Sequence, residues 1–310
     1  MKILYIISAY KRPDQLVRLV RRLNTPNARF HVHVDKKTDA FTCDRMVAGL
    51  RSLNNVHFLE RHVCHWGDIG HVLASLKGIA AAIEQRIAFD YVLLLTGQDY
   101  PIKSNNYIEN FLTKHEKTQF LSYTPIPCDP RLGWVDENGG LDRIESWSLH
   151  VGVLKRWIHL PPPTRYKSTL GTPTWKLLKK AIPGRKLPQY LQPFGGSSYW
   201  CMTRNCALYV HNHIRTNPQF LDFFRHVFVP DEIFFQTLIL NSPLKNSVVN
   251  NDLRCIDWSS KGRGGRLPRI WCTEDFPTLA SSEALIARKF DASLDSKILD
   301  LIDQRLLGVA

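Results

Sequence analysis

No Cys-x-x-Cys pair occurs in the 310 residues, and no stretch approaches the about 18 apolar residues that a membrane-spanning helix requires. The first absence removes a zinc ribbon and a thioredoxin-type redox site. The second removes an integral membrane helix, and the segment from Met1 to Ala9 is too short for a secretory signal. Seven cysteines (Cys43, Cys64, Cys128, Cys201, Cys206, Cys255, Cys272) are odd in number and scattered. They suit free thiols packed in a core under reducing conditions better than a disulfide framework. No internal repeat or low-complexity segment is visible. The expectation is a soluble, cytoplasmic protein whose basic faces could rest peripherally on the inner face of a membrane.

Hydrophobic residues make up 44% of the chain, enough for a sizeable core. The 41 Lys and Arg outnumber the 28 Asp and Glu, for a net charge of +13. Basic residues cluster at 11–22, 155–186 and 261–269. That balance favours an anionic partner: nucleic acid, an anionic lipid or glycan surface, or a phosphorylated small molecule. None of the runs has the length or regularity of a nucleic-acid arm, so no nucleic-acid partner is expected. Tryptophan is concentrated in the middle and later chain (Trp147, Trp157, Trp175, Trp200, Trp258, Trp271), which suits stacking on a sugar or planar ligand as well as packing.

The first third alternates strand and helix. The run Ile3-Leu4-Tyr5-Ile6-Ile7-Ser8 reads as a buried parallel strand, followed by a helix over 13–23 with Leu16, Leu19, Val20 and Leu23 on one face. Strands follow at 30–34, 56–59 and 91–95, with a helix over 70–86 between the last two. Such alternation indicates a parallel sheet covered on both faces, with ligands beyond the carboxyl ends of its strands. Asp35 and Asp99 both sit at such ends. From 124 to 193 the chain is irregular, basic and proline-rich, with helices expected over 143–158 and 174–181. Later expectations are a helix over 205–216, strands at 253–258 and 269–273, a mobile basic loop at 261–266, and helices over 281–289 and 293–307.

One stretch stands out: Val229-Pro230-Asp231-Glu232-Ile233-Phe234-Phe235-Gln236-Thr237-Leu238. Proline and carboxylates both suit a first helical turn, and the apolar residues that follow keep helical spacing. One carboxylate can cap the helix while the other points off its end, where it is a candidate general base.

Several separated motifs together resemble one family. They are His33-Val34-Asp35-Lys36-Lys37, Trp66-Gly67, Leu95-Thr96-Gly97-Gln98-Asp99-Tyr100-Pro101-Ile102, Gly195 to Trp200, Pro230 to Thr237, Leu253 to Trp258, and Ala287-Arg288-Lys289-Phe290-Asp291. The family is that of the inverting glycosyltransferases that include the core-2/I-branching β-1,6-N-acetylglucosaminyltransferases and the peptide O-xylosyltransferases. Gly196-Ser197-Ser198-Tyr199-Trp200 and the Ala287–Asp291 segment look closer to the xylosyltransferase branch.

The resemblance implies a GT-A type fold: a nucleotide-sugar-binding α/β sandwich with a mixed, mostly parallel sheet covered by helices on both faces. It implies one domain over 1–310, with a nucleotide-binding half at 1–123, the basic insert at 124–193 and an acceptor and catalytic half at 194–310. The implied partners are a UDP-sugar donor, with xylose or N-acetylglucosamine favoured, and a glycan or glycoconjugate acceptor. No metal or other cofactor is implied, and the sequence holds no Asp-x-Asp triplet of the kind that binds a divalent ion in other GT-A enzymes. Positive side chains must then offset the leaving diphosphate. The motif places that task on Lys289 and on Arg269, for which Arg266 or Arg263 could substitute. Glu232 corresponds to the base, Asp231 to a helix cap, and Asp35 to a uridine contact. Asp99 either orients the donor sugar or holds the turn from Gly97 to Pro101. Trp258 and Trp200 are the acceptor-side aromatics. His31, His33, His62, His65 and His71 are read as surface or core residues without metal. Two rival readings are a catalytically silent carbohydrate- or nucleic-acid-binding protein on the same scaffold, and a glycoside hydrolase using Asp99 and Glu232.

Overall fold

The computed structural model describes residues 1–129, 134–151, 156–164, 167–259 and 268–309. The strands are β1 (Ile3–Ala9), β2 (Ala28–Val34), β3 (Val56–Phe58), β4 (Tyr91–Thr96), β5 (Asp99–Pro101), β6 (Gln119–Leu121), β7 (Thr124–Pro125), β8 (Trp147–Val151), β9 (Arg156–Leu160), β10 (Phe194–Gly195), β11 (Trp200–Thr203), β12 (Val248–Val249), β13 (Arg254–Ile256) and β14 (Ile286–Arg288). Seven of them form the central sheet in the order β12-β6-β11-β4-β1-β2-β3. Pairing is parallel between β1 and β2, β1 and β4, β2 and β3, and β12 and β6; β11 runs antiparallel to both neighbours. This is an α/β fold on a mixed, mostly parallel sheet.

Both faces of the sheet are buried, which is why β1 reads as a continuous apolar run. Ile3, Tyr5 and Ile7 enter one core, and Leu4 and Ile6 enter the other. The first core is closed by α1 (Pro13–Leu23), α2 (Ala40–Leu50), α4 (Asn105–Lys114), α11 (Phe276–Ser281) and α12 (Lys297–Ile302). The second is closed by α3 (Gly70–Glu84), α8 (Arg204–Thr216), α9 (Pro218–Phe224) and α10 (Phe234–Leu240). The remaining helices, α5 (Leu141–Glu145), α6 (Lys167–Leu170) and α7 (Thr172–Ala181), lie in the insert. None of the seven cysteines is in a disulfide, and all but Cys255 are buried. Among the described residues no helix is long and apolar enough to cross a membrane.

Three expected elements are corrected. Residues 143–158 do not form one helix: α5 stops at Glu145 and β8 begins a hairpin with β9. Ser148 is buried between exposed Trp147 and Leu149, a period of two that belongs to a strand. The helix expected over 281–289 contains β14 instead, because Leu285, Ile286 and Ala287 are buried in succession at the centre of a β13-β14-β5 sheet. Short continuous apolar runs do not distinguish strand from helix. Residues 269–272 lie in no strand and Thr273 already opens a 3-10 turn; the Trp271 N–H joins the segment to Lys289 O. The loop at 261–266 lies outside the described residues.

Candidate active site

The carboxyl ends of β1, β2, β4 and β6 and the start of β11 share one rim of the sheet. Segment 195–199 enters β11 there, and the Pro230–Glu232 turn is bonded to it. Gly196 N–H donates to Glu232 O at 2.8 Å, and Gln236 Nε2 to Ser197 O at 2.6 Å. Gly196 has to be glycine, since a Cβ would lie 1.9 Å from Ser122 O. The turn itself is strained. Val229, a β-branched residue, takes φ +51°, with its N–H donated to Gly67 O at 3.0 Å. Gly67 in turn has φ +83°, and a Cβ there would meet the Phe228 ring at 2.9 Å. Strain of this kind persists where surrounding contacts over-determine it, as at functional sites.

Glu232 projects from this turn and meets Arg143 of α5, with Nη1 2.6 Å from its Oε2. Arg143 also pairs with Glu137 and lies 4.3 Å over the Trp134 ring. A quarter of the Glu232 side chain stays accessible, yet the carboxylate sits deep among protein atoms. Burial is the main influence and raises its pKa; Arg143 opposes this, Asp231 adds to it, and the balance is about 7. A carboxylate so placed accepts a proton at neutral pH far more readily than an ordinary Glu. Asp231 is not the helix cap that the sequence suggested: no side-chain cap bond forms, and it accepts from Ser198 Oγ at 2.8 Å instead.

The other expected residues divide. Asp35 lies on the rim after β2, with its N–H on Ala9 O. It accepts from the Lys37 N–H at 2.9 Å and from Lys37 Nζ at 2.8 Å. Burial tends to raise its pKa, but the bonds and charge of Lys37 outweigh it and hold the group below the usual range. Asp99 is fully enclosed: it accepts from Thr96 N–H at 2.9 Å, Thr96 Oγ1 at 3.1 Å and Arg288 Nη1 at 2.8 Å. Of its two expected roles it has the turn-holding one, and it presents no surface to a donor sugar. Trp200 is also corrected. It is 0% exposed with its ring 5.0 Å from Phe235, so no ring face is open to an acceptor. Trp258 is 59% exposed and keeps that capacity.

Lys289 and Arg269 are brought side by side, since Lys289 N–H reaches Arg269 O and Trp271 N–H reaches Lys289 O. The Arg269 guanidinium is already engaged by carboxylates: Asp275 at 2.5 Å, with Asp257 and Glu274 each at 3.8 Å. Lys289 is half-buried. Arg263 and Arg266 lie outside the described residues. Two more cations at this rim were not singled out from sequence. Arg288 and Arg254 flank the buried Tyr199 ring at 5.0 and 5.4 Å. Arg288 also bonds Thr96 and Asp99, and Arg254 donates to Leu94 O at 2.6 Å.

Of the histidines, His33 and His62 lie near Cys64, with donor atoms within 4.8 Å of one another. That is looser than the about 3.5 Å edge of a tetrahedral N/S zinc site. His33 Nε2 already accepts the His62 N–H. A cavity of about 650 Å³ opens on the opposite rim, lined in part by Met1, Tyr91, Gln119 and Arg204, and holds none of these residues.

The model of the core-2/I-branching enzymes matches residues 3–137 and 155–279, most of the chain, with Arg143, Arg288 and Lys289 outside the matched residues. The chain belongs to the core-2/I-branching enzyme family. Among curated relatives it is 26% identical to xylosyltransferase 2 of Canis lupus familiaris and 25% identical to that of Homo sapiens, over 99% of this chain and 34% of theirs. It is 23% identical to xylosyltransferase oxt of Drosophila melanogaster, over 95% of this chain and 32% of that one. This member of the family thus spans about a third of the length of the xylosyltransferases it matches. A solved galactosyltransferase, LgtC in complex with donor and acceptor sugar analogs, aligns over 98% of this chain and 96% of its own, at a TM-score of 0.40 and 11% identity. That likeness is too loose to assign residues.

Proposed function

We propose that this protein is an inverting glycosyltransferase that moves a sugar from a UDP donor to a hydroxyl of a glycan or glycoconjugate. The observation that carries the reading is Glu232: a desolvated carboxylate with a pKa of about 7, at the sheet's carboxyl rim, in a chain of this family. Glu232 Oε1 takes the acceptor hydroxyl proton as that oxygen attacks C1 of the sugar. The C1–O bond to UDP breaks on the opposite face, and its electron pair stays on the diphosphate. Lys289 is the cation assigned to that developing charge. Arg269 joins it only by leaving its carboxylates; otherwise it holds the segment beside Lys289 in place. Asp35 is assigned to the uridine and Trp258 to the acceptor. The names of the relatives favour xylose as the sugar, with N-acetylglucosamine as the alternative.

In this reading no divalent ion is needed, which suits a sequence without an Asp-x-Asp triplet. The test is a panel of UDP-sugars assayed in EDTA by thermal shift and by UDP release. One donor should raise the melting temperature and turn over with an added glycan. Absence of any UDP-dependent shift, or turnover only after a divalent ion is restored, would remove the reading.

A further inference from the structure

We propose that the outer face of the β8–β9 hairpin, together with α7, is a docking surface for an anionic lipid membrane. Along the hairpin the side chains alternate. Ser148 and His159 face inward and bond each other at 2.9 Å. The cross-strand pairs Trp147 with Leu160 and Leu149 with Ile158 face outward, each side chain 37 to 42% exposed. Beside them α7 buries none of its residues. Leu177 is 67% exposed and lies between exposed Lys176 and Lys180. The helix is tied to the hairpin's end, because Trp175 Nε1 donates to Pro162 O at 3.0 Å.

Charge selects the occupant. From Ser146 to Leu221 the chain holds no Asp or Glu, so no carboxylate of its own segment offsets Lys176 and Lys180. Lys179 differs, being paired with buried Asp142. Aliphatic side chains and a tryptophan rimmed by lysine are what an interfacial element presents to headgroups and acyl chains. Leu149, Ile158 and Leu160 offer nothing to a phosphodiester or a base plane, which disfavours nucleic acid. A symmetric contact with a second copy would set the same lysines against themselves. The hairpin is also joined to the turn that carries Glu232. Ser148 N–H donates to His226 O at 2.9 Å, and Phe228 N–H to Arg143 O at 3.2 Å. A docked protein would therefore hold that rim close to the bilayer. The proposal does not depend on the sugar-transfer reading.

The test is co-sedimentation of the full chain with vesicles of phosphatidylcholine alone, and of phosphatidylcholine with phosphatidylglycerol at about 3:1. Binding to the anionic vesicles only, weakened by salt, is expected. Leu149→Asp should abolish it with the melting temperature retained. Lys176→Ala with Lys180→Ala should weaken partitioning about 25-fold, about fivefold (1 kcal/mol) for each lysine. The double lysine variant keeps the test decisive if Leu149→Asp folds poorly. No sedimentation with anionic vesicles, or binding indifferent to the lysine pair, overturns the proposal. So does a solution dimer that Leu149→Asp dissolves, which would assign the face to a second copy.

Discussion

Replacing Arg143 by methionine removes the guanidinium 2.6 Å from Glu232 Oε2 while leaving an apolar side chain over Trp134. An opposite charge within 4–6 Å holds a carboxylate pKa down by about 1–3 units. Two unit charges about 4 Å apart interact by about 4 kcal/mol at an effective dielectric of about 20, which is an upper limit for a pair that water reaches. Loss of Arg143 also leaves Glu137 uncompensated, and its negative charge pushes Glu232 the same way. The acid-side limb of kcat/KM for the acceptor, expected near 7 in the wild type, should move upward by about 1–2 units in Arg143→Met. At neutral pH the rate should then fall about tenfold, and it should recover on the alkaline side. The assay is UDP release against pH with donor saturating and acceptor well below its KM. A limb that stays near 7 while the rate drops uniformly would refute the electrostatic account and leave Arg143 a packing role.

Two further outcomes follow from the same carboxylate and its support. Below about pH 4.5 Glu232 is protonated whether folded or not; between 4.5 and 7 only the unfolded chain releases the proton, so the wild type loses stability over that window. Glu232→Gln should therefore melt higher than wild type above pH 7, by up to about 3 kcal/mol, with the advantage vanishing near pH 4. Equal melting curves at both pH values would contradict a raised pKa. Gly196→Ala must displace either Ser122 or its own segment between β10 and β11, costing about 1–3 kcal/mol by overpacking. Because Gly196 N–H positions Glu232, kcat should fall with it while donor affinity is retained, as titration calorimetry against UDP would show.

Much of the architecture is legible in the sequence because burial there is regular. Ile3 to Ile7 and Tyr91 to Leu95 are buried on both faces, and Pro13 to Leu23 keeps helical spacing with a proline at its start. The Pro-Asp-Glu turn is visible for the same reason. The elements that escape are those whose pattern is short or shared between states. Residues 147–151 alternate only once a partner strand exists, and 285–287 are apolar without a period. Contacts distant in the chain leave no local trace: Arg143 meets Glu232 across 89 residues, and Arg288 meets Asp99 across 189. The second contact buries Asp99, so that a carboxylate at a strand end, elsewhere a sign of ligand binding, here closes a turn. Trp200 misleads similarly, because the tryptophan of a Ser-Tyr-Trp segment looks available until Phe235 covers it.

The central claim is that Glu232 is the proton acceptor in sugar transfer. Its most direct test is the turnover of Glu232→Gln with the preferred UDP-sugar and acceptor in EDTA, beside its affinity for the donor. The account predicts kcat lower by about 10²–10⁴-fold with donor affinity unchanged. A variant that transfers sugar at close to the wild-type rate would contradict it.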